Sequence, residues 1–167
     1  MMNIKNKRII KLLILDVDGT LTDGKIYIGI NGEMMKAFNI KDGFGLHNIL
    51  PTINGGITPV IITGRRSNIL ENRCSELGIV YLYQEVIDKL QKLKELLCEF
   101  DLELFNVAYI GDDINDLPCM LAVHYAGGII ACPNDAVKEV KETADFISEK
   151  DGGNGAVRDF IEWLKYI

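Results

Sequence analysis

Apolar residues along the chain fall into short unbroken blocks separated by amphipathic stretches. Ile9 to Leu15 is apolar except for Lys11 and ends abruptly in Asp16-Val17-Asp18-Gly19-Thr20. A block of that length reads as a strand buried on both faces, as in a parallel sheet. Pro59-Val60-Ile61-Ile62 is a second block, ending in Thr63-Gly64-Arg65-Arg66, and Ile79–Tyr83 is a third. Val107–Ile110 is a fourth, ending in Gly111-Asp112-Asp113-Ile114-Asn115-Asp116. A fifth strand is expected near His124–Ala131 and a short edge strand at Asp145–Ile147. The intervening stretches read as helices. One runs from about Ser67 to Leu77 and is stopped by Gly78. Another, Val86 to Phe100, places Leu90, Leu93, Leu97 and Phe100 on one stripe, with Lys89 at its start. Further helices are expected from Asn115 to about Val123, over Ala136–Glu142, and through Trp163 after the glycine-rich string Gly152-Gly153-Asn154-Gly155. Alternating strands and helices predict an α/β fold: a Rossmann-like, mostly parallel sheet with helices on both faces. Residues 1–167 read as one domain, without internal repeat or linker.

One stretch breaks this alternation. Ile26, Ile28 and Ile30 repeat with period two, Asn31-Gly32 follows, and a second run extends from Glu33 to Ile40. Asn-Gly between two such runs predicts a β-hairpin over residues 25–40. Lys41-Asp42-Gly43-Phe44-Gly45 reads as a loop leading into a short helix that ends near Leu50. The hairpin carries Ile26, Ile28, Ile30, Met34, Phe38 and Ile40, more apolar surface than a lone two-stranded flap should expose. A symmetric oligomer would bury it.

Composition and charge narrow the possible functions. The 167 residues have a net charge of −6, which disfavours binding to nucleic acid or an acidic membrane surface. The cysteines, Cys74, Cys98, Cys119 and Cys132, have neither Cys-x-x-Cys spacing nor histidines near in sequence, so buried free thiols are expected, as in a reducing cytoplasm. Residues 3–8 are basic and precede an apolar run. That run is short, contains Lys11 and ends at Asp16 without a small-residue cleavage site, so it reads as the first strand rather than a leader. No segment is long enough to span a membrane. His47 and His124 belong to no motif.

The polar strings that end the strands carry the candidate chemistry. Asp16 and Asp18 stand at the carboxyl end of a central strand, the edge at which open α/β sheets bind ligands. One carboxylate can act as a nucleophile and the other can transfer protons. An anionic substrate such as a phosphate would repel such a nucleophile, so a negative protein would need a local cation. Magnesium, with its preference for oxygen donors, suits Asp16 and Asp112. Thr63 and the amides that follow it can bind phosphoryl oxygens, and Lys89 offers a compact positive charge for the transition state.

Asp16-Val17-Asp18-Gly19-Thr20-Leu21-Thr22, Thr63-Gly64-Arg65, Asp88-Lys89 and Gly111-Asp112-Asp113-Ile114-Asn115-Asp116, in that order, resemble the motifs of the haloacid dehalogenase-like phosphohydrolases. The resemblance implies that Asp16 is the nucleophile and Asp18 the acid/base. It also implies a magnesium ion held by Asp16, the backbone carbonyl of Asp18 and Asp112, with Asp113 and Asp116 as additional or water-mediated contributors. The hairpin occupies the place of a cap domain, so the chain is similar to capless members. The hairpin, Asp42-Gly43-Phe44-Gly45 and Gly152-Gly153-Asn154-Gly155-Ala156-Val157-Arg158 point to the branch that hydrolyses the 8-phosphate of a 3-deoxy eight-carbon sugar acid of lipopolysaccharide synthesis. Glu85 departs from the glycine usual there. Phosphate binding would fall to Thr63, Gly64 and Lys89. Arg65 would grip the substrate carboxylate, with Arg73 and Arg158 as further candidates. A homotetramer formed through the 25–40 hairpin is implied, as is a mobile Gly152–Gly155 segment able to reach a neighbouring cleft. Two alternatives stay open: a phosphatase of nine-carbon, sialic-acid-like sugar phosphates, and a non-catalytic module of the kind fused to sugar-acid cytidylyltransferases. Arg65 favours the eight-carbon substrate, because an acidic residue takes that place in the nine-carbon relatives.

Overall fold

The computed structural model describes residues 9–167; the basic stretch 3–8 lies outside them. Six parallel strands form the main sheet in the order β5-β4-β1-β6-β7-β8: Leu12–Leu15 (β1), Thr58–Ile62 (β4), Tyr81–Tyr83 (β5), Val107–Ile110 (β6), Ile129–Cys132 (β7) and Phe146–Ile147 (β8). The chain winds outward from β1 through β4 to β5, then returns to the other side of β1 for β6, β7 and β8. The strand order therefore reverses between β1 and β6, where open α/β sheets form their ligand crevice. Leu13, Leu15, Ile61 and Ile110 face one core, while Leu12, Ile14, Val60 and Tyr109 face another. Burial on both faces is the reason these strands are continuous apolar blocks rather than alternating ones.

The helices are Ile40–Phe44 (α1), Asn68–Leu77 (α2), Lys89–Phe100 (α3), Leu117–Tyr125 (α4), Lys138–Lys141 (α5) and Ala156–Leu164 (α6). Ser67 caps α2 by accepting from Leu70 N, and Gly78 ends it in the left-handed conformation. Asp88 caps α3 in the same way through Gln91 N. His124 and Tyr125 close α4 and do not begin a strand; β7 starts only after Gly127-Gly128. Asp42, Gly43 and Phe44 are helical, not loop, with Asn39 as their cap. The chain then continues as a π turn over Gly45–Ile49 and an irregular 3₁₀ segment over Leu50–Gly55. Close packing accounts for both glycines: a Cβ on Gly43 would lie 2.2 Å from the Arg73 guanidinium, and one on Gly45 would lie 3.0 Å from Arg158 Cδ.

The predicted hairpin is present with shorter strands, Tyr27–Gly29 (β2) and Gly32–Met35 (β3). Its turn falls at Ile30-Asn31, with Gly32 at φ +100°. The Gly152–Gly155 segment packs onto its own domain. Gly152 N donates to Asp135 Oδ1 (2.8 Å) and Gly153 N to the Thr20 carbonyl (3.1 Å). Buried Asp42 fastens the helix that follows, with its Oδ1 accepting from Arg158 N at 2.7 Å; burial pushes its carboxyl up to about 6. Cys74, Cys119 and Cys132 are buried free thiols, whereas Cys98 is exposed. Glu85 has φ +57°, a left-handed conformation that glycine adopts without cost. No helix among the described residues is long and apolar enough to cross a membrane.

Candidate active site

The parallel register pairs Leu15 with Ile61 on β4 and with Ile110 on β6. The ladder extends one step further, where Asp16 N donates to the Ile110 carbonyl at 3.1 Å. Asp16, Thr63 and Asp112 therefore emerge at one end of three adjacent strands. Beyond Asp16 the chain wraps tightly, and the amides of Thr20, Leu21 and Thr22 all donate to the Val17 carbonyl. Gly19 makes that turn possible at φ +99°, and a Cβ there would lie 2.0 Å from Asp112 Oδ2. Any side chain at Gly19 would displace the second acidic loop. Gly152 is similarly constrained, since its Cβ would lie 1.8 Å from the Gly19 carbonyl oxygen.

Lys89, first residue of α3 and buried, reaches under the strand tips. Its Nζ donates to Asp16 Oδ1 at 2.6 Å and to Asp116 Oδ1 at 2.8 Å. Burial alone would push the ammonium down; the Asp16 and Asp116 carboxylates outweigh it and hold Lys89 above its ordinary value. Asp116 is fully buried and saturated. Oδ1 also accepts the Tyr109 hydroxyl (2.8 Å), and Oδ2 accepts the amides of Asp112 (3.1 Å) and Asp113 (3.3 Å). Its geometric role is to hold Lys89 and shape the acidic loop. Asp112 Oδ1 accepts the Thr20 hydroxyl at 2.9 Å.

One oxygen each from Asp16, Asp112 and Asp116 lies within 4.8 Å of the others. With Asp116 saturated, Asp16 and Asp112 are the open donors. Burial and the Asp116 charge raise the Asp16 carboxyl to about 6 despite Lys89, while burial and the Asp16 charge raise Asp112 to about 8. Crowded carboxylates held above their ordinary range, with only oxygen donors, fit a hard divalent cation, whose charge relieves both strains. Asp113 stays apart: it is exposed, and its Oδ1 accepts the Ile114 amide.

Asp18 stands between two cations. Lys36 Nζ bonds its Oδ1, and Arg65 Nε stands 3.7 Å from its Oδ2. The Lys36 contact was not legible in the sequence. That residue follows β3 and reads there as an ordinary hairpin polar position, yet its side chain is only 2% exposed. Glu33 flanks it at 3.3 Å and accepts the hydroxyl of Ser67, the α2 cap. Arg65 is partly exposed at the rim, whereas Thr63 is buried at the floor. A Cβ at Gly64 would make only an ordinary contact with the Val86 carbonyl oxygen, at 3.7 Å. Arg73 and Arg158 are engaged elsewhere: Arg73 with Glu76 (2.8 Å), beneath Gly43, and Arg158 with Glu162 (2.8 Å), over the Phe44 ring. His47 contacts the Leu77 carbonyl and His124 pairs with Asp145, so neither bears on the site.

The haloacid dehalogenase-like hydrolase family matches residues 66–161. The chain is 44% identical over 155 residues to the 3-deoxy-D-manno-octulosonate 8-phosphate phosphatase KdsC of Salmonella typhi, covering 93% of this chain and 79% of that one. The crystal structure of the phosphatase of the same name from Yersinia pestis superposes with a TM-score of 0.84 at 42% identity, over 94% of this chain and 83% of that one. The Moraxella catarrhalis phosphatase, in complex with magnesium ion, phosphate ion and KDO, superposes with a TM-score of 0.83 at 39% identity, over 93% and 85%.

Proposed function

Because the chain belongs to the haloacid dehalogenase-like hydrolases, we propose that it is a magnesium-dependent phosphatase of 3-deoxy-D-manno-octulosonate 8-phosphate. The observation that carries this reading is the buried Asp16, bonded to Lys89 and close to Asp112, at the sheet's switch point. Two turns of chemistry follow from that arrangement. In the first, an Asp16 oxygen forms a bond to phosphorus and the bond from phosphorus to the sugar oxygen breaks. Asp18 gives its proton to that departing oxygen. In the second, water attacks phosphorus and Asp18 takes its proton. The acyl-phosphate bond then breaks, releasing inorganic phosphate and restoring Asp16. Lys89 and Thr63 stabilise the charge on the phosphoryl oxygens. Asp16, Asp112 and the Asp18 carbonyl would hold magnesium, which supplies charge neutralisation between nucleophile and phosphate. Asp116 serves this set by anchoring Lys89 and the acidic loop. Arg65 at the rim is suited to a bidentate grip on the substrate carboxylate.

The hairpin supports a homotetramer assembled through residues 25–40. Ile28, Ile30 and Met34 are 71%, 102% and 70% exposed, an apolar surface that a monomer would leave in water. The deciding experiment is phosphate release from a panel of phosphorylated sugar acids and neutral sugar phosphates, with magnesium. The eight-carbon acid should be preferred over neutral and nine-carbon substrates, and folded Asp16→Asn should be inactive on all of them. Hydrolysis by Asp16→Asn at near the wild-type rate would remove Asp16 as nucleophile.

A further inference from the structure

We propose that Lys36 is a positioning residue for the proton transfer, holding Asp18 in the direction from which it protonates the departing sugar oxygen. The inference rests on the reading of Asp18 given above. A lysine whose side chain is only 2% exposed is costly to bury unless its ammonium is paired, and Lys36 is paired twice. One partner, Glu33, is fastened to the Ser67 hydroxyl at the start of α2 and so to the rigid domain. The other is Asp18, separated by 18 residues in sequence. The hairpin thereby acts as a strut: β3 brings the lysine back over the first loop, Glu33 fixes its near side, and its far side is spent on Asp18.

The arrangement also divides labour among the cations. Lys89 touches Asp16 and Asp116, not Asp18. Lys36 touches Asp18 and Glu33, not Asp16 or Asp112. Arg65 is 3.7 Å from the other Asp18 oxygen but is 44% exposed and free to swing toward substrate. Lys36 is therefore the buried, doubly paired partner that orients the acid. A carboxyl group that must deliver a proton along one direction gains from such restraint, because general acid catalysis depends on that geometry. Lys36 stabilises no phosphoryl charge in this role, so its removal harms only steps that need the Asp18 proton.

The test uses the magnesium-loaded enzyme and two classes of substrate, compared by kcat/KM, which reports on the first phosphoryl transfer. Alkyl phosphates such as sugar phosphates release an alkoxide that must be protonated; p-nitrophenyl phosphate releases a phenolate that leaves without a proton. Lys36→Met should lower the alkyl rate roughly 10²-fold and the aryl rate far less. In an Asp18→Asn background, Lys36→Met should cause no further loss on alkyl phosphates, as expected of residues acting through one step. Equal losses on both substrates, no loss at all, or losses that multiply in the double variant would each overturn the proposal. If Lys36→Met melts well below wild type, Glu33→Gln takes its place. That variant keeps the ammonium and removes its anchor, and a smaller loss of the same selectivity is expected. Failure of the wild-type enzyme to hydrolyse any alkyl phosphate would count instead against the phosphatase reading itself.

Discussion

Magnesium should bind about a hundredfold more weakly at pH 6 than at pH 8. The cause is the pair of carboxyls the ion must share. Asp112 is raised to about 8, first by burial and then by the Asp16 charge, and Asp16 is raised to about 6 by burial and Asp116. A metal ligand must be deprotonated, so below pH 8 each unit of acidity costs about tenfold in apparent affinity through Asp112. Over two units that is about 2.7 kcal/mol. The stability of the metal-free protein has the opposite sign. Both folded-state values lie above the ordinary 3.8, so the fold holds protons that the unfolded chain has released. Stability without metal therefore declines as pH rises from about 4 through 8, and magnesium recovers more of it at the alkaline end. Calorimetric titration at pH 6, 7 and 8, in buffers of differing ionisation enthalpy, measures both affinity and proton release. About one proton should leave per ion near pH 7, and Asp112→Asn should abolish that release. A pH-independent affinity, or binding without proton release, would refute the placement of the ion between Asp16 and Asp112.

Other perturbations test separate parts of the structure. Lys89→Met leaves buried Asp16 and Asp116 without their shared ammonium; it should lower stability by about 3–5 kcal/mol, measured by urea denaturation, and abolish turnover. Gly152→Ala drives a methyl into the Gly19 carbonyl. It should cost about 1–3 kcal/mol in the same denaturation assay and reduce phosphate release by displacing the turn that carries Asp18; unchanged activity would show that the tail does not brace that turn. Ile28→Lys with Ile30→Lys charges the most exposed face of the hairpin. Light scattering should then report a smaller species than wild type, and an unchanged mass would move the interface away from residues 25–40.

Element ends varied in how clearly they could be read. Ser67 and Gly78 carry capping chemistry in a side chain or its lack, and the helix they bound lies where predicted, whereas α3 begins at Lys89 and not at the expected Val86, because Asp88 caps it and the residues before it are not helical. The start of β7 was misplaced because α4 is apolar almost all round, leaving no 3.6-residue period to separate it from the strand that follows. Gly43 and Gly45 read as loop residues because glycine usually marks a turn. Here they are helical, and the small side chain serves the approach of Arg73 and Arg158, which lie far along the sequence.

Local features of the chain account for the apolar blocks that become strands buried on both faces, the polar strings that begin where those strands end, and the side chains those strings carry. Asp16, Asp18, Thr63 and Asp112 are legible as candidates because each stands just beyond such a block, and Lys89 because it opens the helix after the third one. How these groups are used depends on contacts made when the chain folds. Three acids follow β6, and it is the turn of the loop that buries Asp116 on Lys89 and leaves Asp113 in water. Arg73 and Arg158 are drawn to Glu76 and Glu162, and the glycine-rich tail folds back on its own first loop. Lys36 meets Asp18 only because the hairpin returns over the strand tip. These pairings join residues distant in sequence, with geometries set by loop closure and by the packing of the two cores, and no periodicity along the chain encodes them.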